Sequence, residues 1–184
     1  MAGCAQQRPG SASESEIITI YPHRWVVPSD MWRNFFDHAE REIGMLVYSG
    51  LFLSEDIGVQ RVFRKKAEAG ARIRLLLGDP DSESVAQRGA DEGIDATMAA
   101  KIRNALVNYA TLRTVPGVEF RLHRTVLYNS IYQADDQLLI NTHIYKFPAS
   151  QAPVLHLRRV VGGDMVTTYL ESFERVWDGA TPLE

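Results

Sequence analysis

The sequence predicts an α/β fold, a sheet with parallel core strands flanked by helices, and three observations predict it. First, Met45-Leu46-Val47-Tyr48-Ser49-Gly50-Leu51-Phe52-Leu53 is an apolar run of the kind that forms a strand covered on both faces. Second, Arg72-Ile73-Arg74-Leu75-Leu76-Leu77 is another strand-like run, and Val59, Val62, Phe63 and Ala67 between the two recur at helical spacing. Strand, helix and strand in succession imply a right-handed parallel crossover. Third, Val118-Glu119-Phe120-Arg121-Leu122 alternates as a half-buried strand does, and it leads into a polar β-hairpin between His123 and His143. With 184 residues, 45% of them hydrophobic, the chain is long enough for one core of ordinary size.

Taken in order, residues 1 to 15 hold no large apolar side chain after Met1 that could offset the entropy of ordering. They are expected as a flexible tail, with the folded domain over residues 16 to 184. Ile17-Ile18-Thr19-Ile20-Tyr21 reads as a strand ending before Pro22, and Trp25 in the next loop is expected as a core plug, with a stacking surface as the alternative. Pro28-Ser29-Asp30 starts a helix whose buried stripe is Trp32, Phe35, Phe36, Ala39 and Ile43, with Gly44 as its stop. Ser54-Glu55-Asp56 caps the crossover helix, which ends near Gly70 and turns Arg61, Arg64, Lys65 and Lys66 to solvent. Gly78-Asp79-Pro80-Asp81-Ser82-Glu83-Ser84 then stands at a strand's C-terminal end, where open α/β sheets place ligands; it serves equally as the cap of a helix to Ala90. Met98, Ile102, Leu106, Tyr109 and Leu112 mark a helix within residues 96 to 114, and Pro116-Gly117 turns the chain back into the sheet. Beyond the hairpin, residues 153 to 160 read as a strand and Gly162-Gly163 as a turn. Asp164 caps a last helix that packs Met165, Tyr169, Phe173, Val176 and Trp177 on the sheet.

Composition and motifs exclude several functions. Twenty Lys and Arg against 23 Asp and Glu give a net charge of −3, so no overall basic field favours nucleic acid or an anionic membrane as partner. Arg121, Arg124, Arg158 and Arg159 are the candidates for a local basic patch. Cys4 is the single cysteine, so no disulfide framework forms and a reducing, cytoplasmic setting is expected. No charged segment and apolar region precede it as a lipid-attachment signal requires, and no apolar run approaches the length of a membrane-spanning helix. His-Glu-x-x-His, clustered Cys and His, Gly-x-Ser-x-Gly, the P-loop and Gly-x-Gly-x-x-Gly are all missing, so neither a metal nor a cofactor is expected.

The chemistry-bearing residues gather on the hairpin. His123, Arg124, Tyr128, Asn129, Ser130, Asn141, Thr142 and His143 fall within twenty-one residues around an Asp135-Asp136 turn. Buried polar groups cost free energy unless paired, so a strand pair this polar points to a ligand-facing surface, with a solvated hairpin face as the alternative. A phosphoryl site needs donors or cations around a tetrahedral anion, and a covalent mechanism needs a nucleophile such as histidine; these residues supply both types.

In the order of its elements the chain resembles the phospholipase D superfamily over residues 28 to 180. The elements that carry the likeness are the strand at 47–53 after a helix, Ala69-Gly70-Ala71-Arg72-Ile73-Arg74-Leu75-Leu76-Leu77, the strand Gly117-Val118-Glu119-Phe120-Arg121 entering the hairpin, and a closing helix through Tyr169, Phe173 and Trp177. The chain also resembles a domain found behind helix-turn-helix modules in bacterial regulators. The superfamily likeness implies a mixed sheet with the site on the hairpin, where the family carries His-x-Lys-x4-Asp and, on the return strand, a Gly-Ser step. There the histidine attacks phosphorus, the lysine holds the phosphate, and a second histidine from the other half-site protonates the leaving group. With Asp135 on the motif aspartate, Tyr128 takes the histidine position, Ser130 the lysine position and Asn141-Thr142 the Gly-Ser step. With His123 on the motif histidine, Thr125 takes the lysine position and Asp135 stands twelve residues on, where the motif has seven. The first alignment is preferred, because the Asp-Asp turn fixes the register and a one-residue slip would reverse every side chain.

On that alignment the motif is degenerate, since a neutral phenol with an ordinary pKa of ~10 is a poor nucleophile. The resemblance therefore implies a domain that binds a phosphorylated small molecule or nucleotide, as a sensor would, through Tyr128, Asn129, Ser130, Asp135, Asn141 and Thr142. Asp79 and His156 are further ligand-binding candidates. The alternative is a phosphodiesterase or phosphatase in which His123 or His143 is catalytic, as histidine titrates in the range such work needs. A third reading is a structural dimerisation module: superfamily members with one half-site pair into a two-fold site, so the resemblance also implies a homodimer.

Overall fold

A computed structural model describes residues 9–183. In chain order the strands are β1 (Ile17–Tyr21), β2 (Glu42–Leu46), β3 (Arg72–Gly78), β4 (Val118–His123), β5 (Asn129–Ala134), β6 (Gln137–Thr142), β7 (Val154–Arg158) and β8 (Thr181–Pro182). The α-helices are α1 (Pro9–Glu16), α2 (Ser29–Asp37), α3 (Leu51–Ser54), α4 (Ile57–Glu68), α5 (Glu83–Asp91), α6 (Thr97–Asn108) and α7 (Met165–Gly179). The strands form one sheet in the order β1-β7-β6-β5-β2-β3-β4-β8. The β2–β3 and β3–β4 pairs are parallel, and the remaining pairs are antiparallel. The expected mixed sheet with parallel core strands is therefore present.

The crossover helix α4 starts where the Asp56 carboxylate accepts the Gly58 and Val59 amides at 2.8 and 3.2 Å, and it buries Val59, Phe63 and Ala67. Side chains alternate across a strand, so Met45 and Tyr132 share one face of the sheet while Gly44, Arg74 and Gln133 share the other. Helix α2 covers the first face, with Trp32 edge-on to Tyr132 at 4.8 Å and Phe36 edge-on to Phe63 at 5.0 Å. Helix α7 covers the second. There the buried Arg74 guanidinium donates to Glu174 at 2.7 and 2.6 Å and to Glu42 at 2.6 Å, and lies 4.8 Å from the Phe173 ring centroid. The hydrogen bond from Arg74 holds the Glu174 carboxyl below the usual carboxylate range. Gly44 permits this close packing: a Cβ there would come within 2.8 Å of Gln133 Oε1 and 3.2 Å of the Phe173 ring.

The apolar run at 45–53 does not form one strand. Its strand portion ends at Leu46, Gly50 turns the chain with a left-handed φ of 56°, and Leu51–Ser54 is helical. Apolarity alone does not separate a buried strand from a buried helix. Helix α2 ends at Asp37 rather than at Gly44, because residues 42 to 46 pair with both β3 and β5 and so belong to the sheet. Trp25 is not a core plug but is 63% exposed; the place against Tyr132 is taken by Trp32 and Phe52. Of the expected tail, residues 1 to 8, Cys4 among them, lie outside the described residues, whereas Pro9–Glu16 is helical. Glu16 at its end is fully buried, and its carboxylate accepts the amides of Met165 at 2.8 Å and Val166 at 2.9 Å. It thereby caps α7, where the Asp164 side chain makes no cap hydrogen bond. Among the described residues no helix is long and apolar enough to cross a membrane.

Candidate functional site

The β5–β6 hairpin pairs from Asn129 opposite Thr142 to Ala134 opposite Gln137, with the Asp135-Asp136 turn beyond. Asp135 sits at a left-handed φ of 50°, and its carboxylate accepts the amides of Glu40, Arg41 and Glu42 at 2.8, 2.9 and 2.8 Å. Burial alone would raise its pKa, but these donors outweigh burial and hold the carboxyl below its ordinary value. The seven residues from Tyr128 span about 23 Å at roughly 3.3 Å per residue. Asp135 therefore ties the turn to the start of β2 and lies far from the hairpin's open end.

At that open end a pocket of about 240 Å³ is lined by Tyr48 after β2, by Ser84, Gln87, Arg88 and Asp91 of α5, by Val126, Leu127 and Tyr128 before β5, and by His143 and Tyr145 after β6. Tyr128 is 81% exposed at its rim. His143 Nδ1 lies 3.1 Å from the Leu127 carbonyl, which can only accept, so this nitrogen carries the proton. Nε2 then accepts from the Ser130 hydroxyl at 3.1 Å, and both ring nitrogens are engaged. The ring stacks on Tyr48 with centroids 5.8 Å apart and planes at 25°, while the Tyr48 hydroxyl accepts the Leu127 amide at 3.0 Å. Burial, reinforced by the nearby Arg88 charge, pushes the His143 pKa down to about 4. Burial also raises the Tyr48 phenol above its ordinary value, so both groups are neutral near pH 7. Arg88 donates through Nε to Glu92 at 2.7 Å and through Nη2 to the Phe147 carbonyl at 3.2 Å.

His123 lies on the other side of Tyr48, with ring centroids 5.9 Å apart. It is 1% exposed, its Nε2 donates to the Val47 carbonyl at 3.0 Å, and burial lowers its pKa. The two histidines that bracket the hairpin in sequence thus flank one tyrosine. His156 does not join them. It meets Gln137 Oε1 at 2.8 Å and the edge of Phe35, in a separate cleft of about 480 Å³ with Met31, Asn34 and His38.

The other expected ligand groups mostly hold the fold. Asp79 accepts the Asp81 amide at 3.0 Å and pairs with Arg124 at 2.8 Å; burial opposes ionisation there, but these partners lower its pKa overall. Asn141 is fully buried and donates to the Ala152 and Pro153 carbonyls at 3.3 and 3.1 Å, and the Thr142 hydroxyl donates to Pro153 at 3.4 Å. Asn129 opens β5 beside Thr142. From the expected set, Tyr128 and His143 line the pocket and Ser130 supports His143. Sequence reasoning missed Tyr48 and the α5 face, although Ser84, Gln87, Arg88 and Asp91 stand at i, i+3, i+4 and i+7 and so define one polar helix face. A cleft of about 590 Å³ between the segment after α6 and the β4–β8 edge lies away from these groups and is lined by Arg113, Glu119 and Arg121 among others. Among the described residues no three His, Cys, Asp or Glu side chains are placed to hold a metal ion.

No family model and no curated protein matches this chain. Solved structures do match. NucT from Helicobacter pylori superposes with a TM-score of 0.58 at 8% identity, over 90% of this chain and 98% of NucT. Phosphatidylserine synthase from Haemophilus influenzae gives 0.51 at 12% identity, over 89% of this chain and 39% of the synthase. Both are phospholipase D family members. This chain has the phospholipase D-like fold. TrmBL2, an archaeal chromatin protein with a novel mode of DNA binding, gives 0.56 at 12% identity, over 98% of this chain and 57% of TrmBL2. The chain thus spans little more than half the length of TrmBL2, and at these identities the likeness is one of fold.

Proposed function

We propose that this chain is a phospholipase D-like domain that binds a nucleotide or another phosphorylated small molecule at the open end of the β5–β6 hairpin, as a sensor rather than a hydrolase. One observation carries the reading. The pocket keeps ring surfaces and hydrogen-bonding groups, yet no lysine lines it and its one histidine is neutral with both nitrogens engaged. Tyr48, Tyr128 and Tyr145 suit a planar base, which stacks on any aromatic face. Lys146, whose ammonium stands 5.5 Å from the Tyr145 ring centroid, offers a cation at the rim for a phosphate.

Calorimetry against nucleotides and sugar phosphates is the test. At least one should bind, and Tyr128→Ala should weaken it tenfold or more, since losing a stacking ring costs ~1–3 kcal/mol per base. A panel without binders, or a hit that binds the variant unchanged, overturns the assignment. Turnover of a generic phosphodiester that His143→Ala or His123→Ala abolishes would replace it with the phosphodiesterase reading. A second reading, a homodimerisation module, is favoured by the exposed apolar side chains of Trp25, Val26, Val126, Ile144 and Phe147. The two readings are compatible.

A further inference from the structure

We infer that the base this pocket selects is guanine, read along its Watson–Crick edge by Arg88 and Asp91 of α5; this rests on the nucleotide-binding reading above. The cavity of about 240 Å³ is smaller than the roughly 300–1,000 Å³ typical of pockets that enclose a drug-sized ligand. It accommodates one ring system and leaves a sugar and phosphate outside. Two of its sides are rings and apolar groups, Tyr48 and His143 in a stack with Tyr128 and Tyr145 at the rim. Its polar side comes from a single helix face, so the order of donors and acceptors on that face decides which base fits.

That order is specific. Arg88 uses Nε on Glu92 and Nη2 on Glu92 and the Phe147 carbonyl, which leaves Nη1 as a donor without a partner among the described residues. Asp91, one helical turn on, accepts Gln87 Nε2 on Oδ1 at 2.9 Å, and its Oδ2 takes no partner among the described residues. The face therefore presents a cationic donor beside an anionic acceptor. Guanine presents the complement, the O6 acceptor beside the N1–H and N2–H2 donors, and hydrogen bonds with one charged partner are about twice as strong as neutral ones. Adenine reverses the pattern: its N6 amino group would meet the guanidinium and its bare N1 the carboxylate. Hypoxanthine keeps O6 and N1–H but lacks the N2 amino group. Uracil matches O4 and N3–H but sets an O2 acceptor against Asp91 and offers a smaller stacking face. A guanidinium already inside the pocket, with its carbon 6.0 Å from the Tyr48 ring centroid, disfavours a cationic ligand in the same aromatic setting.

The experiment is calorimetry with guanosine, inosine and adenosine 5′-monophosphates on the wild-type chain and on Asp91→Asn. Guanosine monophosphate should bind at least tenfold more tightly than adenosine monophosphate, with inosine monophosphate between them. Asp91→Asn should cost the guanine nucleotide tenfold or more and narrow the gap to adenine, with circular dichroism as the check that the variant is folded. The inosine comparison needs no variant and tests the N2 contact alone. Equal or tighter binding of the adenine nucleotide, or guanine binding unchanged by Asp91→Asn, overturns the inference. If such binding still depends on Tyr128, the nucleotide-binding reading stands without it. If no phosphorylated compound binds at all, both fall.

Discussion

His143 makes the pocket sensitive to acid. Its folded pKa of about 4 lies below the ordinary 6.5, so on acidification the unfolded chain takes up a proton that the folded chain refuses. The associated stability is fully present above pH 6.5 and is lost as the pH falls toward 4. At pH 5 the loss is about 2 kcal/mol from this group, or roughly 4–8 °C in Tm for a chain of this size. Burial lowers the pKa of His123 and of His156 as well, so both act in the same direction. Thermal unfolding at pH 7.5 and pH 5 should therefore show a drop in Tm for the wild type and a smaller drop for His143→Gln. An identical drop in the two proteins would assign the acid sensitivity to other groups. Ser130 belongs to the same unit, because its hydroxyl is the donor that the unprotonated Nε2 requires.

At the level of elements, the β5–β6 hairpin is held at one end by a carboxylate and open to solvent at the other. Replacing Asp135 with alanine leaves three backbone amides without their acceptor and puts a side chain with no local hydrogen bond at a left-handed φ. The expected cost is about 2–4 kcal/mol in urea unfolding. Asp135→Asn keeps an acceptor and tolerates that φ, so it should recover about half. Wild-type stability for the alanine variant would remove Asp135 from this role. The turn was legible in the sequence because two adjacent aspartates interrupt two apolar, β-rich runs. The run at 45–53 was not, because apolar residues buried in a strand, a loop and a short helix look alike. The α5 wall of the pocket was missed for a different reason. Its residues lie some forty positions before the hairpin in sequence, and only the parallel β3–β4 pairing brings the end of β3 beside the end of β4. The capping role of Glu16 was not legible, because its carboxylate is buried against α7, an element nearly 150 residues away.

For the whole molecule, the exposed apolar side chains bear on the proposed homodimer. Trp25, Tyr128, Tyr145 and Phe147 are 63%, 81%, 69% and 49% exposed, and Val26, Val126 and Ile144 accompany them. Two of the segments that carry them adjoin at the pocket, where the His143 amide donates to Tyr128 and Arg88 donates to Phe147. With about 150–250 Å² per fully exposed aromatic side chain, the four rings leave roughly 400–650 Å² in water. The three aliphatic side chains bring the patch near the ~800 Å² per partner of a standard interface. A patch of this kind marks an interaction surface, and a two-fold pairing across it would set the two pockets mouth to mouth. Sedimentation velocity should therefore show a dimer that dissociates on dilution, and Trp25→Ser with Tyr145→Ser should shift it to monomer without changing Tm extrapolated to low concentration. A wild-type chain that stays monomeric at high concentration would leave the patch to the ligand alone. A dimer untouched by the double substitution would place the interface on another face.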